Sequence, residues 1–302
     1  MAASDMRIGI DLGGSKIEGL VLDRHGGECV RERMATPQGD YHATLHAIGD
    51  LVALLESRAG ASCSVGIGMP GSRSRATGLV KNSNSVCLNG QPLHHDLEAL
   101  LGRELRFAND ADCFALSEAT DGAAAGKDSV FGVIIGTGTG GGIVYRGTLL
   151  SGPNGIAGEW GHNPLPWPVM EELPGPRCYC GRHGCIETWL SGPGLARDHL
   201  AHTGESRDAT EIAACAVDGE PASAASLGRY ADRLARALAS VINIIDPDVI
   251  VLGGGISNID WLYDAVPQRW GGYVFSDTVE TGLVRAQHGD SSGVRGAAWL
   301  WD

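Results

Sequence analysis

The run "RIGIDLGGSKIEGLVL" near the start of the chain is matched in form by "VFGVIIGTGTGGGIVYRGTLL", which begins at Val130. Each reads as apolar strand, glycine turn and second strand, because alternating aliphatic residues flank glycines that permit a tight reversal. The two runs share little identity but one pattern, which predicts two related lobes. The first copy continues through the turn "RHGG" into a third strand. A helix is expected over 41–57, followed by a buried strand at "SVGIGMP" and a helix at "LHHDLEALLG". "ELRFAND" reads as a strand ending in polar residues, and "ADCFALSEATDGAAAG" as the helix after it. Farther on, Leu227, Tyr230, Leu234, Leu238, Val241 and Ile245 follow helical spacing, and "DPDVIVLGGGIS" is a strand running into glycines. The expected division is a smaller lobe, 1–115, joined by a returning C-terminal helix at about 290–302, and a larger lobe, 116–289.

Three strands end in glycine turns: "DLGGSK", "GTGTGGG" and "LGGGIS". Glycine lets backbone N–H groups face an anion and lets phosphate oxygens approach without a Cβ clash. No turn has the Walker spacing, and after "GTGTGGG" the chain continues as a strand where a dinucleotide fingerprint needs a helix. The arrangement resembles the two-lobed actin-like ATPase (ribonuclease H-like) α/β fold of hexokinases and Hsp70-type proteins, with the active site in the cleft between lobes. That resemblance implies ATP held by Gly9, Ile10, Asp11, Leu12, Gly13, Gly14, Ser15 and Lys16 of the first turn. Thr137, Gly138, Thr139, Gly140, Gly141 and Gly142 of the second turn, and Gly254 and Gly255 of the third, would complete the nucleotide site. Asp11 would lie near Mg2+, through water; Lys16 reads equally well as a solvated surface lysine.

Of the eight cysteines, Cys29, Cys63, Cys87, Cys113 and Cys215 are scattered beside apolar residues and read as fillers. Cys178, Cys180 and Cys185 cluster in "CYCGRHGCIE", with His162 upstream in the spacing His-x15-Cys-x-Cys-x4-Cys. One histidine and three cysteines make a full tetrahedral set for structural Zn2+, with no open position for water. There is no Cys-x-x-Cys redox pair, and a disulfide between Cys178 and Cys180 would be strained. The metal loop, 159–187, pins Glu159 beside His162 and Glu187 beside Cys185, although either glutamate alone could be a solvated surface residue.

A formal charge of −13 disfavours a broad nucleic-acid or anionic-membrane surface. No stretch has the length of a membrane span, and "MAASDMRIG" lacks the form of a signal peptide, so a cytoplasmic protein is expected.

The motifs "DLGGSK", "FANDAD", "GTGTGGG", "GEWGH", "CYCGRHGCIE" and "DPDVIVLGGG" stand in the order found in the ROK family of bacterial sugar kinases, which the chain resembles over essentially its whole length. Ser15, where threonine is usual, keeps the hydroxyl. The resemblance implies a sugar held by Asn109, Asp110, Glu159, His162 and Glu187, with Asn84 as a further contact or a simple turn residue. Asp110 is the expected general base, taking the proton of a hexose hydroxyl as it attacks the γ-phosphate of ATP. An aspartate there also suits the N-cap of the following helix, and the two roles can coexist. The stretches "LVKNSNSVCLNGQPL", "GEWGHNPLPW" and "HGDSSGVRGAAWLW" resemble the fructokinase/mannokinase branch, so the expected activity is phosphorylation of the 6-hydroxyl of D-fructose, with D-mannose second. N-acetylglucosamine or glucose is the alternative acceptor. A sugar-responsive regulator would carry a helix-turn-helix before the first turn, where only "MAASDM" stands here. Family likeness implies a homodimer.

Overall fold

The computed structural model describes residues 5–83 and 85–301. Its first elements are β1 (Arg7–Leu12), β2 (Lys16–Leu22), β3 (Glu28–Ala35), α1 (Tyr41–Ala59), β4 (Ser64–Met69), β5 (Ser72–Arg73) and β6 (Val80–Lys81). Then come α2 (Leu93–Leu101), β7 (Arg106–Asn109), α3 (Asp110–Thr120), β8 (Ser129–Ile135), β9 (Thr139–Tyr145) and β10 (Thr148–Leu149). Next are α4 (Ile186–Leu190), α5 (Gly192–Thr203), α6 (Ala209–Val217), α7 (Pro221–Ile245) and β11 (Val249–Gly253). The chain closes with α8 (Leu262–Ala265), α9 (Pro267–Trp270), β12 (Gly282–Arg285) and α10 (Ser292–Trp299).

Two compact units result. One holds the chain up to Gly126, Gly142–Ala157 and everything from Gln287; the other holds Lys127–Gly141 and Gly158–Ala286. The first unit is built on a sheet of order β3-β2-β1-β4-β7, with β2 antiparallel and β4 parallel to β1. In β1 the odd-even pleat sends Ile8, Ile10 and Leu12 into the core shared with Leu45, Ile48, Leu51 and Leu55 of α1. The opposite face is nearly bare. Gly9 and Gly66 are register partners there, and a Cβ on either would lie 1.9 or 1.8 Å from a carbonyl oxygen of α10. These two glycines let the C-terminal helix lie directly on the sheet. On its other side, a Cβ at Gly296 would sit 1.7 Å from the Cys113 carbonyl of α3.

The buried Glu118 carboxylate fixes the approach to α10. It accepts N–H bonds from Gln287 (2.9 Å) and His288 (3.0 Å) and the Ser292 hydroxyl (2.7 Å). A carboxylate so fully bonded can be buried without a cation.

In the second unit β8, β11 and β12 pair in parallel, with the start of β9 following the turn after β8. The remainder of β9 pairs with β10 within the first unit. The strand order is thus β10-β9-β8-β11-β12, the same pattern as the first sheet. α7 buries Leu227, Tyr230, Leu234 and Leu238, and its Arg233 and Arg236 bind Glu172, with Arg233 also binding Asp198. Among the described residues no helix is long and apolar enough to cross a membrane.

Candidate functional site

The expected site residues fall on both units. In the first unit, the β1–β2 turn is closed by the Gly13 N–H bond to Lys16 O (3.0 Å), and the Thr36 hydroxyl caps the Gly13 carbonyl at 2.8 Å. Lys16 projects to solvent and meets the buried Glu18 at 3.6 Å, so its ammonium is tied to a carboxylate of the same strand. Asp11, the last polar residue of β1, points to the α10 face, where a Cβ at Gly293 would come within 3.4 Å of its carboxylate. Burial, then the charges of Asp110 and Glu18, raise the Asp11 pKa from 3.8 to about 6, against the pull of Lys16.

Parallel pairing of β4 with β7 carries Asn109 to the strand end beside Met69. The N-cap of α3 is Asn109, whose side-chain oxygen accepts the Asp112 N–H at 2.5 Å. Asp110 is therefore the first helical residue, and the capping role expected of it belongs to its neighbour. The Asp110 side chain is exposed to solvent, although neighbouring protein atoms crowd its carboxylate. That desolvation raises its pKa, opposed by N–H bonds from Ala111 and its own backbone. Asn84 lies outside the described residues.

In the second unit the β8–β9 turn spans Gly136 to Gly138, closed by the Gly136 N–H bond to Gly138 O (2.9 Å). Glu187, in the first turn of α4, accepts the Thr139 N–H at 3.1 Å, and a Cβ at Gly138 would lie 2.7 Å from that same carboxylate oxygen. A side chain at 138 would push the Glu187 carboxylate away from this bond. The turn after β11 packs on the same strand end: Gly254 has φ 79°, and a Cβ there would lie 2.4 Å from the Ile135 carbonyl. Two of the three glycine turns are thus adjacent, and Thr139 Oγ1 beside them is buried without a hydrogen-bond partner. Gly140 accepts the Trp160 indole N–H (3.2 Å), which anchors the residue between Glu159 and Gly161.

His162, Cys178, Cys180 and Cys185 present four ligand atoms within 4.8 Å of one another. Cys178 Sγ is 3.6 Å from His162 Nδ1, and Cys180 Sγ is 3.7 Å from Cys185 Sγ. Backbone bonds zip the two strands of this loop: Leu165 N–H to Gly184 O and Ile186 N–H to Asn163 O, both 2.9 Å. Because of that zipper, Glu159 and Glu187 are carried by neighbouring segments. The other imidazole nitrogen, Nε2, meets the Tyr179 hydroxyl at 2.9 Å. Sequence reasoning did not single out Tyr179, or Glu187's bond to the glycine turn; only the place of Tyr179 inside Cys-x-Cys could have signalled it.

Duplicated sheets, glycine turns at strand ends and a loop presenting one histidine and three cysteines define the class. The ROK family model matches residues 7–302, and the chain belongs to the ROK family, with the actin-like ATPase α/β fold. It is 40% identical over 98% of its length to the N-acetyl-D-glucosamine kinase of Vibrio cholerae, covering 99% of that protein. It is 39% identical to the enzyme of the same name from Yersinia pseudotuberculosis, at 98% of each chain. Among solved structures, the ROK hexokinase of Thermus thermophilus superimposes with TM-score 0.86 at 30% identity, over 97% of each chain. The ROK glucokinase of Streptomyces griseus, solved with glucose and AMPPNP, gives 0.76 at 28% identity, over 98% of each.

These relatives overturn the expected fructokinase (ATP:D-fructose 6-phosphotransferase) activity, and they leave the fructokinase/mannokinase branch unspecified. The stretches behind that expectation were short and local, and the metal and acid-pair motifs are common to kinases of different hexoses. Which sugar fits is set by side chains scattered over several elements, which whole-chain identity weighs and a short motif does not.

Proposed function

We propose that the protein is an ATP-dependent N-acetyl-D-glucosamine kinase that phosphorylates the sugar's 6-hydroxyl. The observation that carries this reading is the 40% identity, sustained over 98% of the chain, to an enzyme of that name. When bound, ATP with Mg2+ supplies the phosphoryl group and neutralises the charge that develops on it. The residues present fit such a ligand: Thr139 Oγ1 is an unpartnered buried donor, and Gly136 and Gly255 leave open space where a Cβ would stand. The turns of Gly9–Lys16, Thr137–Gly142 and Gly254–Gly255 would hold the nucleotide, and Asp11 the hydrated Mg2+.

Asp110 is the base in this reading. Its raised pKa brings a carboxylate closer to the operating pH, which strengthens it as a proton acceptor. Its position as the first residue of α3 places the helix N-terminus beside the anionic form. Asn109, held rigid by its cap bond, Glu159 and Glu187 would orient ring hydroxyls, whereas His162, with Nδ1 towards the cysteines and Nε2 on the Tyr179 hydroxyl, has no ring nitrogen left for the sugar.

The four ligands of the metal loop fit Zn2+. Zn–S bonds of about 2.3 Å arranged tetrahedrally separate two sulfurs by about 3.8 Å, and a sulfur and an imidazole nitrogen by about 3.6 Å. The 3.7 Å and 3.6 Å separations match those edges. His162 would bind through Nδ1, with Tyr179 on Nε2 fixing the ring and the tautomer. In the family's manner we further propose a cytoplasmic homodimer. The test is to incubate the protein with Mg-ATP and N-acetyl-D-glucosamine and identify the product by phosphorus NMR. A 6-phosphate supports the reading, and unchanged sugar refutes it.

A further inference from the structure

The metal loop carries little apolar surface of its own: of the fifteen residues between His162 and Cys178, only Leu165 and Glu172 are buried. The backbone zipper ties the His162 side of the loop to Cys185, but the stretch 166–175 still has to carry the chain round to Cys178. There the contacts come from α7. Arg236, 2% exposed, donates from Nη1 to the Pro166 carbonyl (3.1 Å), the Trp167 carbonyl (2.8 Å) and Glu172 Oε2 (2.9 Å), and from Nη2 to Glu172 Oε1 (2.9 Å). We infer that Arg236 is a positioning residue for the metal loop, holding 166–172 so that His162, Cys178 and Cys180 meet in the geometry a zinc ion needs. This inference rests on the reading of the quartet as a zinc site and adds what keeps the loop in place.

A guanidinium suits this task because its planar fork offers N–H donors in fixed directions, and Arg236 also uses its Nε, on Asp232 at 3.0 Å. Glu172 is equally committed. Its Oε1 also accepts Arg233 Nε at 2.7 Å, and its Oε2 the Val169 N–H at 3.1 Å. Burial alone would raise the Glu172 pKa, but the bonds from Arg236 and Arg233 hold it down at about 2, so the pair stays charged at working pH.

The same helix reaches the other end of the loop. The Tyr230 hydroxyl donates to the Leu190 carbonyl at 2.6 Å, and the Arg233 guanidinium stacks on Trp189, 4.5 Å from the ring centroid. Trp189 and Leu190 belong to α4, which begins directly after Cys185 and carries Glu187. Tyr230, Arg233 and Arg236 follow one another at intervals of three along α7, so one helix grips both sides of the quartet. Buried ion networks are a weak source of stability, and their best-attested use is to select one arrangement over others. Here that arrangement is the course of the loop.

The test measures zinc release from the full-length, zinc-loaded protein to a colorimetric chelator, well below the melting temperature, which is recorded alongside. Arg236→Met keeps much of the side-chain length and removes every donor; it is expected to release zinc at least about 10-fold faster, the lower end of what losing an outer support does to metal affinity. Arg236→Lys, which keeps the charge without the fork, should fall between wild type and Arg236→Met. Arg229→Met is the control, because Arg229 binds Asp198 and Ser226 but no residue of the loop. It should lower the melting temperature while zinc release stays near wild type. Should Arg236→Met be insoluble, Arg236→Lys against Arg229→Met makes the same comparison. Release at the wild-type rate from the Arg236 variants overturns the inference, as does equal acceleration in Arg229→Met, which would trace the effect to a general loss of stability. A wild-type chain that takes up no zinc on reconstitution instead refutes the metal reading itself, and the inference falls with it.

Discussion

Replacing Asp11 by asparagine should stabilise the protein while impairing its chemistry. Burial and the neighbouring carboxylates raise the Asp11 pKa from 3.8 to about 6. Each unit corresponds to about 1.36 kcal/mol, so ionising Asp11 costs the native state up to about 3 kcal/mol; partial exposure trims this to about 1–3. The direction follows from proton binding. The folded chain holds the Asp11 proton more tightly than the unfolded chain does, so this group's contribution to stability falls as pH rises from about 4 to 6. Asp11→Asn keeps the shape and removes the charge. Calorimetric unfolding without nucleotide should show the variant melting a few degrees above wild type at pH 8. That gain should shrink towards zero near pH 4, where wild-type Asp11 is also neutral. A variant that melts lower at pH 8, or gains equally at both pH values, would refute the electrostatic account of this site. Phosphoryl transfer by the variant should fall, because the carboxylate that would hold hydrated Mg2+ is gone.

Asp110→Asn should lower kcat at least about 10²-fold, the scale of general-base catalysis, while the sugar Kd from calorimetry stays near wild type. Cys185→Ser should reduce zinc from near one per chain to near zero by elemental analysis, with KM for the sugar rising because Glu187 loses its anchored neighbour; retained zinc would refute the ligand set. Gly296→Ala drives a Cβ to 1.7 Å from the Cys113 carbonyl, which cannot yield without moving α3. It should cost at least about 3 kcal/mol and appear as a lower melting temperature or as insoluble protein.

Much of the first unit was legible because its strands and helices carry their own periods. Tyr41 to Ser57 reads as a helix and the structure continues it to Ala59, where Gly60 turns left-handed. The strands at "SVGIGMP" and "ELRFAND" and the long helix ending at Ile245 likewise follow from local pattern. The helix "ADCFALSEATDGAAAG" is shorter than its alanines suggest. Glu118 takes the Ala123 N–H at 2.9 Å, and the chain bends away after Thr120.

What could not be read is long-range. Glu118 looks like a surface glutamate, yet it is buried by partners 169 to 174 residues away. His94 stands beside His95 in a polar-looking pair, and only α2 packing on β7 reveals which of the two is buried. The histidine–cysteine quartet could be proposed from sequence because its members lie within one loop, and Glu187 because Cys185 sits two residues before it. Preference for one hexose over another left no local trace.

The central claim is the identity of the acceptor. Initial rates of ADP release with Mg-ATP should be measured for N-acetyl-D-glucosamine, D-glucose, D-mannose and D-fructose, and kcat/KM ranked. The account predicts N-acetyl-D-glucosamine first by at least about 10-fold; equal or higher kcat/KM for any of the other three would contradict it.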